Sequence, residues 1–215
     1  MDARIAVLAS GAGSNLQALL DDTEVGRWIA LVVSDRGDAA ALERARARGL
    51  RAVILEPARY ATREEHDLAL EHLLEEEAIE FVALAGYMRV LGTNAVRAYE
   101  GRILNVHPAL LPAFPGAHSV RDALDWGVKV TGATVHLVDE EIDHGPIVLQ
   151  ESVPVLPGDT ESVLHARIQE VEHRLYPQAV RLMVEGRLKV EGRRTHILSG
   201  EAGSSPEEPR RTVAE

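Results

Sequence analysis

Ile5-Ala6-Val7-Leu8-Ala9-Ser10-Gly11-Ala12-Gly13-Ser14-Asn15-Leu16-Gln17-Ala18-Leu19-Leu20 is the stretch whose reading decides the fold. An unbroken aliphatic run describes a strand buried on both faces, as parallel strands covered by helices are. The run ends in a glycine-containing turn and resumes as helix-forming Leu16–Leu20, which makes the opening of a βαβ unit. The same alternation continues outward. Apolar runs recur at 29–33, 52–55, 81–85 and 103–106, separated by segments of 17 to 25 residues with helical composition. The segment 39–49 (AAALERARARG) ends in Gly49, a C′ stop, and 62–77 gathers Leu70, Leu73 and Leu74 on one helical face. Consecutive strand–helix units of this spacing predict an α/β fold built on a Rossmann-like parallel sheet flanked by helices.

The composition agrees. Of 215 residues 46% are hydrophobic but only 4% aromatic, so the core is aliphatic, as helix-on-sheet layers require. The absence of cysteine excludes a disulfide scaffold, a thiolate nucleophile and Cys-ligated metal. A net charge of −11 disfavours unspecific binding to nucleic acid or to an anionic membrane. The apolar runs fall well short of the ~20 residues that span a bilayer. Residues 1–4 lead straight into the first strand without a signal-peptide pattern, and the expectation is a cytoplasmic protein.

After Val106 the texture changes. Residues 107–116 (HPALLPAFPG) hold three prolines and a glycine, which predicts a rigid loop. A short helix is expected at about 118–126. Two longer strands, 129–138 and 147–153, flank a turn over 139–146. Pro157-Gly158-Asp159 breaks the chain, with Asp159 as the expected N-cap of a helix from about 160 to 176. Pro177 predicts a kink or break before a continuation to Val184. Residues 199–215 are rich in Gly, Ser, Pro and charge and read as a mobile tail. Residues 1–198 therefore read as one domain with two halves, 1–106 and 107–198.

Three constellations carry chemistry. Gly11-Ala12-Gly13-Ser14-Asn15 fits either a plain βα turn or an anion cradle, in which helix N-terminal N–H groups hold a phosphate. The third glycine of a nicotinamide fingerprint is missing, since Leu16 stands there, although Asp35 follows the second strand as a ribose-binding acid would. Asn105 and His107 project side by side from the carboxyl end of a strand, where open α/β sheets bind ligands, and Pro108 holds His107 extended. Asp143, just ahead of Gly145-Pro146, is placed to orient His107 and favour its imidazolium, with His136 nearby. His165, Gln169, Glu172 and His173 form a polar stripe on the later helix, for which a solvated face is the commoner reading. No tight His/Asp/Glu ligand spacing appears, and a metal is not expected.

In this order and spacing the segments SGAGSN (10–15), AGYMRVL (85–91), RILNVHPALLPAFPG (102–116), GATVHLV (132–138), DEEIDHGP (139–146) and QEVEHRLYP (169–177) resemble the phosphoribosylglycinamide formyltransferase family, within the formyltetrahydrofolate-dependent formyltransferases. The likeness spans about residues 4–190. It implies a seven-stranded, mostly parallel sheet with one antiparallel strand. It also implies formyl transfer from the co-substrate 10-formyltetrahydrofolate to the amine of glycinamide ribonucleotide, in a monomer or homodimer whose partners are these small molecules. By the resemblance Asn105, His107 and Asp143 form the catalytic trio. Gly13, Ser14, Asn15, Gln169 and Glu172 would hold the phosphoribosyl substrate. Arg63, Met88, Arg89, Val90, Leu91, Asn105, Asp139, Glu140, Glu141, Ile142 and Asp143 would hold the folate, which makes 1–106 the nucleotide-binding half and 107–198 the catalytic and folate half. Two positions depart from the pattern: Ala12 replaces a polar residue, and His144 stands where a small residue is common.

The chemistry fits these residue types. Amine attack on a formyl carbon builds an oxyanion, for which Asn105 and His107 offer N–H donors. Asp143 would raise the His107 pKa and relay a proton through water. The alternatives are another 10-formyltetrahydrofolate-dependent formyltransferase or a formyltetrahydrofolate hydrolase using the same trio. A nicotinamide oxidoreductase and a folate- or purine-sensing module are the rivals from other classes.

Overall fold

A computed structural model describes residues 3–199. Seven strands, β1 (Ile5–Leu8), β2 (Ile29–Ser34), β3 (Arg51–Ile54), β4 (Phe81–Leu84), β5 (Ile103–His107), β6 (Val130–Leu137) and β7 (Ile147–Pro154), form one sheet in the order β3-β2-β1-β4-β5-β6-β7. β1 to β5 pair in parallel, while β6 is antiparallel to both its neighbours. β6 is thus the one antiparallel strand the resemblance implied.

Strand alternation sends successive side chains into two separate cores. Ile5 and Val7 of β1 enter one, with Leu16 and Leu19 of α1 (Ser14–Asp21), Ala41 and Ala45 of α3 (Ala40–Ala47) and much of α7 (Glu161–Val184). Ala6 and Leu8 enter the other, with Leu70, Leu73 and Leu74 of α4 (Arg63–Glu76) and with Tyr99, which caps α5 (Thr93–Ala98). Both faces of β1 are covered, which is why its sequence is aliphatic throughout. The short α2 (Val25–Trp28) leads into β2, and α6 (Ser119–Trp126) precedes β6.

The structure corrects the expected cap of α7, excludes a break at Pro177 and adds an element. The cap of α7 is Thr160, whose Oγ1 accepts from the Val163 N–H at 3.3 Å, and not Asp159. Asp159 is instead taken up by Arg167 at 2.7 and 2.8 Å and by the Leu156 N–H at 2.7 Å. α7 runs through Pro177 without a break. Packing holds both sides of the proline: Tyr176 is wholly buried, its hydroxyl donating to the carbonyls of Leu84 (2.8 Å) and Leu104 (3.1 Å), and Ala179, Val180 and Met183 are buried beyond it. Finally, a hairpin of β8 (Leu188–Glu191) and β9 (Arg194–Ile197) forms a second small sheet that the sequence reading did not foresee. Of the expected tail, residues 200–215 lie outside the described residues. No helix among those described is long and apolar enough to cross a membrane.

β1 and β4 are the strands at which the order reverses, since the chain leaves β1 toward β2 on one side and β4 toward β5 on the other. Their carboxyl-end loops therefore diverge and leave a crevice between them, the usual ligand position in such sheets.

Candidate active site

One cavity of about 570 Å³ occupies this crevice, with Gly13–Asn15, Met88–Leu91, Asn105, His107, Asp139–Asp143, Gln169 and Glu172 all on its wall. The three constellations of the sequence thus meet in one place. Arg63 does not reach the wall; its guanidinium donates to the Val90 carbonyl at 3.1 Å and steadies the 88–91 segment from behind. Asp35 also lies outside the cavity.

At one end stands the glycine loop. Gly13 adopts φ +70, and a Cβ there would meet Ala41 Cα and Cβ at 2.8 Å, so α3 presses against the loop too closely for any other residue. The Gly13 carbonyl accepts from Gln17 at 2.9 Å, which leaves the N–H groups of Ser14, Asn15 and Leu16, the first turn of α1, without a partner among the described residues. With no acid in that turn, the helix end has the donors and the positive dipole end that an anion cradle needs. α3 fixes it from outside: the Ala41 N–H donates to the Gly11 carbonyl (3.1 Å) and Arg44 Nε to the Ala12 carbonyl (2.8 Å). Arg44, which the sequence presented only as part of a charged helix, brings the nearest fixed positive charge to the loop.

Beside the cradle, Asn15 Nδ2 donates to Glu172 Oε2 at 2.8 Å, and Gln169 Nε2 to Ser14 Oγ at 3.3 Å. Glu172 is only 2% exposed, and burial raises its pKa against the opposing Asn15 hydrogen bond. The buried Asn15 Oδ1 has no partner among the described residues. The stripe on α7 is therefore a wall of the site along its Glu161, His165, Gln169 and Glu172 edge, and not merely a solvated face.

The centre is built around Asp143. Its Oδ2 accepts from the Gly116 N–H at 2.7 Å and lies 3.4 Å from His107 Nδ1; its Oδ1 accepts from Asn105 Nδ2 at 3.3 Å and lies 3.6 Å from His136 Nε2. Asn105 uses its second N–H toward His136 Nε2 at 3.2 Å, while His136 Nδ1 donates to the Leu137 carbonyl at 2.9 Å. Burial opposes ionisation of Asp143, but the two histidines and the Gly116 N–H outweigh it and hold the carboxyl down to about 2.

His107 corrects an expectation. Burial pushes its pKa below the ordinary imidazole range; Asp143 and the Phe114 carbonyl act upward without overcoming it, and His136 adds to the depression. Asp143 has the expected sign but not the expected net result. Nε2–H of His107 donates to the Phe114 carbonyl at 2.8 Å, which leaves Nδ1 facing the carboxylate. That contact exists because the proline-rich loop folds back at Phe114 (φ +54) and Gly116 (φ +93). Thr134 and Gln150 brace the loop, Thr134 Oγ1 donating to the Ala109 carbonyl (2.6 Å) and Gln150 Nε2 to that of Leu111 (2.9 Å).

The other end is more apolar, with Leu84, Val90, Leu91, Val96, Val138 and Ile142 on the wall. Ser10 ties the two lips together: its N–H donates to the Gly86 carbonyl (3.0 Å), and its Oγ accepts from the Met88 N–H (2.9 Å). Sequence reasoning had no signal for the Phe114 carbonyl or the Gly116 N–H, which are backbone groups, nor for His118 on the wall. Among the described residues no group of three or more His, Asp or Glu side chains is arranged to hold a metal ion.

Comparison with known proteins bears on this arrangement. The formyl transferase family model matches residues 3–180. Phosphoribosylglycinamide formyltransferase of Escherichia coli is 43% identical over 189 residues, 86% of this chain and 89% of that protein. The human trifunctional purine biosynthetic protein adenosine-3 is 43% identical over 191 residues, but this chain spans only 19% of its length. Glycinamide ribonucleotide transformylase 1 from Symbiobacterium toebii superposes with a TM-score of 0.89 at 52% identity, covering 92% of this chain and 94% of that one. A formyltetrahydrofolate deformylase from Pseudomonas syringae shares the fold at 26% identity and a TM-score of 0.85, covering 93% of this chain and 67% of that one.

Proposed function

The chain belongs to the formyl transferase family, and from that premise we propose that it transfers the formyl group of N10-formyltetrahydrofolate to the primary amine of glycinamide ribonucleotide in purine biosynthesis. One observation carries the reading. Asn105, His107 and Asp143 converge between an anion cradle at one end of the cavity and an apolar wall at the other. A phosphorylated amine and a ring-bearing formyl donor, entering from those two ends, bring amine and formyl carbon together at the trio.

The donor set fits both substrates. The α1 N-terminus and Ser14 meet a phosphate, and Asn15, Gln169 and Glu172 offer polar contacts for a ribose. The segment 88–91 and the turn 139–143 bring Met88, Val90, Leu91 and Ile142 to the wall, apolar surface on which a flat heterocycle can lie. Holding both reactants in register supplies a large share of the rate by itself.

As the amine nitrogen bonds to the formyl carbon, the carbonyl electron pair moves onto oxygen. The Asn105 N–H bonds to Asp143 and His136, at 3.3 and 3.2 Å, are long for N–H donors. One of them is free to turn to the developing oxyanion, where it strengthens as charge grows. His107 presents Nδ1 to the Asp143 carboxylate at 3.4 Å, so the proton that Asp143 takes from the attacking nitrogen is shared with the ring, which bears positive charge beside the oxyanion until that proton is passed on. Asp143, ionised throughout the physiological range, accepts the proton of the attacking nitrogen through water. It returns one to the donor nitrogen as the carbon–nitrogen bond breaks, and so ends as it began.

Hydrolysis by the same trio is the second reading, favoured by the likeness to the deformylase. Release of deformylated folate, followed by absorbance with and without glycinamide ribonucleotide, separates the two. Release that depends on the amine supports transfer. Equal release without it supports hydrolysis, and no release with a folded protein overturns both.

A further inference from the structure

The β8–β9 hairpin turns at Gly192 (φ +60) and brings Arg193 over the turn that joins β6 to β7. Arg193 Nη2 donates to the His144 carbonyl at 2.6 Å, and Nη1 lies 3.0 Å from His144 Nε2. A guanidinium only donates, so Nε2 carries no proton and Nδ1–H donates to Asp139 Oδ2, at 2.7 Å. Asp139 Oδ1 in turn accepts from the Glu141 N–H at 3.1 Å. The hairpin tip is therefore connected by hydrogen bonds to His144, Asp139 and Glu141 of the acidic turn. Behind the tip, Thr195 Oγ1 donates to the Ile147 carbonyl at 2.6 Å and docks β9 against the first residue of β7.

This linkage bears on Asp143, the residue next to His144. Asp143 sits at φ +51, a left-handed backbone that a residue other than glycine keeps only when its surroundings fix it. From the cavity side Gly116 and Asn105 hold its carboxylate. From the solvent side the turn has two cationic tethers, Arg97 on Glu140 at 2.7 Å and Arg193 on His144. Arg193 also sets a positive charge against a turn that carries Asp139, Glu140, Glu141 and Asp143.

Resting on the reading that this turn borders the formyl-donor end of the cavity, we propose that Arg193 is a positioning residue that fixes the 139–144 turn, and with it Asp143, through His144.

The test uses the full chain and its Arg193→Ala, Arg193→Lys and His144→Ala variants, with the Arg193→Ala/His144→Ala double variant. Hydrogen–deuterium exchange over 139–145 is read beside steady-state kinetics with each substrate varied. Arg193→Ala is expected to speed exchange in that segment and raise the donor KM roughly three- to fivefold, the scale of an exposed charge-assisted contact, while the amine-substrate KM stays unchanged. Arg193→Lys recovers part of the loss, and the double variant is no worse than Arg193→Ala. Unchanged exchange over 139–145 overturns the proposal, as does a rise spread over the whole chain or an equal change in both KM values. If the wild type turns over neither substrate, the proposed function fails, while the exchange comparison still decides the role of Arg193.

Discussion

The Asp143 carboxylate lies 3.4 Å from Nδ1 of His107, yet the imidazole stays below its ordinary pKa because burial outweighs the nearby negative charge. The pair is thus set by two opposed influences, burial that disfavours charge on both groups and their mutual attraction that favours it.

Removing the carboxylate takes away the main influence that acts upward on His107. Asp143→Asn should therefore lower the His107 midpoint further, read by NMR titration of the ring protons. In the wild type the midpoint should fall below the ordinary value of about 6.5. With the folded pKa of His107 depressed, its contribution to stability is fully present above the unfolded pKa and is lost as pH falls through the lower, folded one. A His107 midpoint that rises in Asp143→Asn would contradict the balance described here.

Asn105 is the donor best placed for the oxyanion. Asn105→Ala should lower kcat by about 100- to 1,000-fold, the usual cost of one such donor, with little change in Tm. Wild-type-like kcat would remove Asn105 from the chemistry.

Glu172 carries a raised pKa in a buried position. Its contribution to stability is present below the unfolded carboxyl pKa and is lost as pH rises through the folded one. Glu172→Gln keeps an acceptor for Asn15 and removes the buried charge. Its Tm should exceed that of the wild type at pH 8, with the gap closing at pH 4, while the KM for the phosphorylated substrate rises. Calorimetry showing a lower Tm for the variant at pH 8 would refute this account of Glu172.

Gly145 packs its α-carbon against β6 so closely that a Cβ would sit 1.8 Å from the Leu137 carbonyl oxygen. Gly145→Ala must shift the turn. It should cost about 3 kcal/mol in denaturant unfolding, at the upper end of ordinary single substitutions, and slow turnover by displacing Asp143. A variant of unchanged stability would show that the turn yields freely.

The sheet was legible because its signal is local: five aliphatic runs separated by helical spacers can hardly be anything but parallel strands. Asn105 and His107 were legible for the same reason, since strand period and Pro108 decide where they point. What stayed hidden depends on contacts across the chain. The net direction of the His107 shift follows from burial under a loop that folds back at Phe114, and periodicity carries no trace of it. Gly13 reads as a turn residue, but its need for close approach to Ala41 appears only once α3 is packed. The β8–β9 hairpin is short and mostly exposed, so Leu188 and Val190 gave too little apolar contrast to mark it. Thr160 and Asp159 are both good caps by type, and the reach of Arg167 decides between them.

The most direct test of the central claim follows the formyl carbon itself. Donor carrying a ¹³C-formyl group is incubated with glycinamide ribonucleotide and either wild-type protein or Asp143→Asn, and the label is located by NMR. The proposed mechanism predicts label on the ribonucleotide's glycinamide nitrogen with the wild type, and transfer slowed at least about 100-fold in a folded Asp143→Asn. Label appearing as free formate, or transfer at an undiminished rate in the variant, would contradict it.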